Sequence, residues 1–160
     1  MEPVEVTAAG RTFRLRRASE QDVPAIVALL TDDAIGAGRE RADDLASYRR
    51  AFAAVDADPA HLLVVAEVDG ATAGTLQLSF LPGLSRQGAL RAQVEGVRVG
   101  AAHRGSGLGT ALLRWAIEES RSRGAALVQL TTDLRREDAR RFYERLGFTG
   151  SHLGMKLDLG

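Results

Sequence analysis

The sequence predicts a single α/β domain over residues 1–160, a mixed sheet with helices on both faces. Three observations carry this expectation. Segments with apolar residues at every second position alternate along the chain with segments where they recur at intervals of three and four. A glycine-rich loop, Arg104-Gly105-Ser106-Gly107-Leu108-Gly109, joins a strand-like segment to a helix-like one. Finally, 160 residues of 45% hydrophobic composition can enclose one core, and no linker, repeat or low-complexity stretch divides them.

The elements follow in order. Phe13 to Arg17 alternates apolar and basic residues, as a first strand does. Val23, Ile26, Val27 and Leu30 define a helix, capped either by Ser19-x-x-Asp22 or by Asp22 itself ahead of Pro24. Leu45, Tyr48, Phe52 and Val55 define a second helix. The loop between them, Thr31 to Asp44, is acidic through Asp32, Asp33, Glu40, Asp43 and Asp44. His61 to Val68 is β-branched and apolar, and Asp69-Gly70 reads as a tight hairpin turn into Thr72 to Leu81. After the break at Pro82-Gly83, Ala89 to Val99 resumes as a strand. The helix after the glycine loop, Leu108 to Arg121, has Leu108, Leu112, Trp115 and Ala116 as its inner stripe, and Gly124 ends it. Ala126 to Thr131 is a further strand, Glu137 to Leu146 a further helix, and Met155 to Leu159 alternates as a last strand.

Composition removes several functions. Twenty-one basic residues balance twenty-one acidic ones, so no overall field draws nucleic acid or an anionic membrane to the chain. Cysteine is absent, which excludes disulfides, thiolate metal ligands and a cysteinyl acyl-enzyme. His61, His103 and His152 are too dispersed to suggest a metal site. No basic stretch followed by an apolar run marks a signal peptide, and nothing is apolar for long enough to span a bilayer. The expectation is a cytoplasmic protein without metal, nucleic-acid or membrane partners.

The glycine loop is the richest signal. Glycines at alternate positions leave the backbone amides approachable, and the first turn of a helix offers unsatisfied N–H groups and a positive dipole end. Together they make a cradle for a phosphate or pyrophosphate. Spacing excludes two common phosphate loops. A dinucleotide fingerprint counted from Gly105 and Gly107 would need its third glycine at Thr110, and a P-loop counted from Gly100 and Gly105 would need lysine where Ser106 stands. What remains is R-x-x-G-x-G across Arg104, Gly107 and Gly109.

That pattern resembles the acyl-CoA signature of the GNAT superfamily of N-acyltransferases. Upstream, Val97-Arg98-Val99 and His103-Arg104-Gly105 resemble the family's V-x-V strand and its entry to the pyrophosphate loop. Downstream, Ala139-Arg140-Arg141-Phe142-Tyr143-Glu144-Arg145-Leu146-Gly147-Phe148 resembles its A-x-x-F-Y-E-x-x-G-F helix. The match is strongest from Gln93 to Phe148. The resemblance implies a GNAT-like fold, a mostly antiparallel mixed sheet of six or seven strands with about four helices. It implies direct transfer of an acetyl or other small acyl group from acetyl-CoA to a primary amine of a small molecule. A regulatory module that binds acyl-CoA without catalysis, and an acetyltransferase acting on protein termini or lysines, are the alternatives. A homodimer is compatible with the family.

Acetyl transfer also says what to look for. An alkyl amine has a pKa of about 10.4, so holding it neutral at pH 7 costs roughly 4 to 5 kcal/mol, and a positioned base lowers that barrier. Glu95, two residues before Val97, is the candidate base, acting directly or through water, and with an ordinary pKa of about 4.3 it requires partial burial to make it basic enough. On a regular strand it shares a face with Val97 and Val99. Its alternative role is an ordinary carboxylate satisfied by Arg91 or Arg98. By the resemblance, the Val97 N–H receives the acetyl carbonyl, Val99 holds the pantetheine arm, and a β-bulge eased by Gly96 and Gly100 frees these groups. Arg104, Gly105, Ser106, Gly107, Leu108, Gly109 and Thr110 hold the pyrophosphate. Tyr143 is the general acid toward the leaving thiolate, or else a member of the helix's buried stripe. The family pattern has proline where Ala101 stands and asparagine where Arg136 stands, and Arg136 could reach a phosphate. His152 and Lys156 are candidates for lining the acceptor pocket.

Overall fold

The computed structural model describes residues 1–32, 38 and 40–159. Six strands form one sheet in sequential order: β1 (Val4–Ala8), β2 (Arg11–Arg17), β3 (His61–Val68), β4 (Ala71–Leu81), β5 (Arg91–Val99) and β6 (Leu127–Leu130). Every pairing is antiparallel except that of β5 with β6. That exception follows from the crossover helix α4 (Leu108–Ser122), which a parallel connection needs. The remaining helices are α1 (Val23–Thr31), α2 (Leu45–Ala57), the single turn α3 (Ser85–Gly88) and α5 (Glu137–Arg145). The expected mixed, mostly antiparallel sheet is present.

Local chemistry accounts for most boundaries. Asp69 and Gly70 both have positive φ, the twist a two-residue hairpin demands, so β3 turns directly into β4. A second hairpin at Ala9 and Gly10, also at positive φ, joins β1 to β2. This first strand was not expected, because alanine is an unusual residue for such a turn and hides it. Asp22 precedes α1, but its carboxylate turns back to the Ser19 N–H at 2.7 Å and to Arg16, while Pro24 opens the helix.

The two faces of the sheet differ. On one, Phe13, Leu15, Leu62, Val64, Leu76, Leu78 and Val94 are buried against Leu108, Leu112, Leu113 and Ala116 of α4, and α5 packs on the same cluster. Each fully buried leucine there contributes roughly 1.5 to 3 kcal/mol. Leu113 belongs to this inner stripe, whereas Trp115, expected in it, is only partly buried. On the other face, α1 and α2 cover Leu63 and Val65 through Ile26, Leu30 and Phe52. Arg16 spans this side, pairing with both oxygens of Asp22 at 2.7 Å and with Glu67 at 2.5 Å.

The expected strand at Met155–Leu159 is not formed. Residues 151–159 have no strand partner, and Leu153, Met155, Leu157 and Leu159 are all more than three-quarters exposed. Alternation alone does not make a strand without an edge to pair with. Among the described residues no helix is long and apolar enough to cross a membrane, and no group of three or more His, Asp or Glu side chains could hold a metal ion.

Candidate active site

The site is made where β5 loses its regularity. Glu95 pairs with Gln77 and Arg98 with Thr75, so two residues, Gly96 and Val97, stand opposite Leu76 alone. This is a β-bulge, and Gly96 takes its left-handed position at φ +59°. Pairing between β5 and β6 stops at Val94 and Leu130, while β5 runs on to Val99. β6 ends at Leu130, so from Glu95 onward the β6 side of β5, beside the bulge, has no strand paired to it.

The bulge reverses the side-chain alternation. Val97 and Val99 pack against the α4 cluster. Glu95 lies on the opposite face, beside Gln77 and with its carboxylate 2.9 Å from the amide nitrogen of Gln93. The expected sharing of one face by Glu95, Val97 and Val99 is thus incorrect, because it assumed a regular ladder and the extra residue shifts the phase by one. Glu95 is exposed, so the partial burial expected of the base is absent, because the bulge sets it on the open side of β5.

Tyr143 is on the other side. Its ring packs 5.2 Å from Phe142 and 6.0 Å from Phe148, centroid to centroid, within the α4-face cluster. Burial pushes the phenol above its usual pKa, against the opposing pull of Arg98 and Arg136. Arg136, immediately before α5, therefore faces Tyr143 electrostatically. α5 also meets the glycine loop: a Cβ on Gly109 would lie 3.5 Å from Phe142 and 3.7 Å from Val99.

The loop itself is built by backbone conformation. Gly105 and Gly107 have φ of +75° and +80°, which side chains rarely tolerate, and Gly107 caps α4 without any side-chain bond. The first bond from Gly107 into the helix is to Ala111 N–H at 3.0 Å, which leaves the preceding N–H groups at the mouth of α4 outside the helical ladder. The Ser106 hydroxyl donates to His103 O at 2.6 Å and accepts from Leu108 N–H at 3.4 Å, so it serves the loop's own backbone. The Arg104 guanidinium contacts Asp32, at the end of α1, and the Val99 carbonyl. Val97 O accepts from Arg98 at 2.9 Å.

Other candidates lie elsewhere. His152 and Lys156 are exposed on the extended tail, where His152 bonds only its neighbour Ser151 at 2.8 Å among the described residues. Of the acidic loop, Asp33 falls outside the described residues, and Glu40 bonds the Tyr48 hydroxyl at 2.8 Å. Gln93 and Gln129 were overlooked. Gln93 had a signal, since it is two residues from Glu95; Gln129 had none, because its neighbour is set by the parallel register.

Known proteins resemble this arrangement throughout. The model of the acetyltransferase (GNAT) family matches residues 16–148. The chain is 32% identical to the aminoalkylphosphonate N-acetyltransferase of Salmonella typhimurium over 138 residues, 86% of each chain. It is 30% identical to the streptothricin acetyltransferase of Streptomyces lavendulae over 90% of this chain and 67% of that one. The crystal structure of a transcriptional regulator from Bacillus halodurans superposes with a TM-score of 0.89 at 45% identity, covering 92% of this chain and 99% of the other. The match runs from β2 through the bulged strand and glycine loop to the end of α5, and on it the chain belongs to the acetyltransferase (GNAT) family.

Proposed function

We propose that this acetyltransferase moves an acetyl group from acetyl-CoA to the primary amine of a small molecule by direct attack in a ternary complex. The observation that carries the proposal is the bulged stretch of β5 that runs on past the end of β6, with Glu95 on one side of the sheet and Tyr143 on the other. An activated thioester needs a neutral nucleophile, a donor for the developing oxyanion and a proton for the departing thiolate.

Each requirement has a residue. The amides at the start of α4 that lie outside the helical ladder and the left-handed turns at Gly105 and Gly107 suit a diphosphate, so Arg104 to Thr110 would hold the coenzyme's pyrophosphate. The pantetheine arm would run along the open edge at Val99, leaving the acetyl carbonyl near the Val97 N–H. Glu95 takes a proton from the amine, whose nitrogen then attacks the carbonyl carbon. As the carbon–sulfur bond breaks, Tyr143 gives its proton to the sulfur, and the remaining surplus proton on the nitrogen passes to the phenolate and restores it. Burial keeps the phenol protonated at rest, so its proton is in place when the thiolate departs. The products are an amide and free CoA.

The named relatives support a small amine as acceptor, since one acts on aminoalkylphosphonates and another on streptothricin. A regulatory role for the acyl-CoA cradle is the second reading, favoured by the name of the Bacillus halodurans protein. A screen of amines, including aminoalkylphosphonates and amino sugars, for acetyl-CoA-dependent release of free thiol decides between them. Turnover with any amine supports the enzyme; tight acetyl-CoA binding with no turnover across the screen supports the regulatory module.

A further inference from the structure

Two glutamines stand behind Glu95 in an order that permits only one orientation. Gln93 and Gln129 are direct partners in the parallel pairing of β5 with β6, one rung before it ends. Gln129 Nε2 donates to Gln93 Oε1 at 2.7 Å, and Gln93 Nε2 donates to Glu95 Oε1 at 2.9 Å. Gln93 Nε2 also lies 3.5 Å from the Val94 carbonyl, so its amino end faces acceptors and its carbonyl end faces a donor. Turning that amide over would set its oxygen against the Glu95 carboxylate and its amino group against that of Gln129.

We propose that Gln129 and Gln93 are positioning residues that aim the Glu95 carboxylate at the acceptor amine, with Gln129 acting only through the orientation it imposes on Gln93. This rests on Glu95 being the base. The chemistry suits that task. A guanidinium would hold the carboxylate with a full opposing charge, as Arg16 does for Asp22; an amide holds its direction and adds no net charge. Each amide also polarises the next, so the chain orients Glu95 more firmly than one bond would.

The test uses donor and acceptor replacements of the outer residue. Gln129→Glu keeps the shape but can only accept, so it draws the Gln93 amino group away and turns its carbonyl toward Glu95. Gln129→Lys can only donate and preserves the native direction. The lysine variant should keep kcat within about threefold of the native enzyme. The glutamate variant should lose about 10- to 100-fold, the range for a hydrogen bond to a charged group. Acetyl-CoA affinity and melting temperature should change in neither.

In a Glu95→Gln background, where turnover is already low, Gln129→Glu should have no further effect on kcat. Equal losses for lysine and glutamate, or native kcat for the glutamate variant, overturn the relay while leaving Glu95 as base. Native turnover in Glu95→Gln alone overturns the relay together with the reading it rests on.

Discussion

The guanidinium of Arg104 closes on Asp32, with Nη2 lying 2.6 Å from the Asp32 carbonyl oxygen and 2.8 Å from its carboxylate. The residue that opens the coenzyme loop is thereby held by the end of α1, on the side from which an acceptor would arrive. Both side chains are about half exposed, so the pair contributes under about 1 kcal/mol. A diphosphate can displace such a partner.

Replacing Asp32 with Asn should therefore release Arg104 and tighten acetyl-CoA binding about two- to fivefold, the effect of removing a weak surface pair. Calorimetric titration checks it. Unchanged affinity in Asp32→Asn, with equally unchanged affinity in Arg104→Ala, would show that Arg104 is no phosphate ligand.

Tyr143→Phe removes the hydroxyl and leaves the ring stack with Phe142 and Phe148 in place. We expect kcat to fall about 100-fold or more, within the range for general acid catalysis, with little change in acetyl-CoA affinity. Steady-state rates with a turned-over amine provide the check, and an undiminished kcat would assign Tyr143 to packing alone.

Gly107→Val places a β-branched residue at φ +80°, where the added Cβ also lies 3.5 Å from that of Ala8. The conformational cost is at least about 1 to 2 kcal/mol, so the loop should refold locally and lose its amides as a ligand surface. Acetyl-CoA binding should vanish in calorimetry while far-ultraviolet dichroism stays native. Retained affinity would mean that the loop does not hold the diphosphate.

Arg16 hydrogen bonds hold the Asp22 carboxyl down at about 2, against 3.8 for the ordinary group. A depressed carboxyl stabilises the fold above its unfolded value and loses that contribution as pH falls through the folded one. Asp22→Asn should cost about 2 kcal/mol at neutral pH, and the gap from the native protein should close between pH 4 and 2. Urea denaturation at pH 7, 4 and 2.5 measures it. A gap independent of pH would remove the ion pair as its cause.

Legibility in the sequence depended on how local each cause is. Asp69-Gly70 announces its hairpin, and the A-x-x-F-Y-E-x-x-G-F run announces α5, because neighbours in sequence settle both. The strand at Val4–Ala8 was missed because Ala9 conceals a turn that glycine or asparagine would have revealed. Met155–Leu159 was overcalled, since its pattern says nothing about whether a free edge lies within reach. The side on which Glu95 falls depended on a single extra residue in β5, and the link from Gln93 to Gln129 on a parallel register set by α4. The bulge itself was legible in Gly96 and the family resemblance, but its effect on the face of Glu95 and the parallel register have no short sequence signature.

The opposed placement of Glu95 and Tyr143 makes the sheet a partition between the two groups. In the proposed mechanism the amine and the coenzyme would enter from opposite faces, and neither would have to leave before the other binds. Initial-rate plots should consequently intersect rather than run parallel.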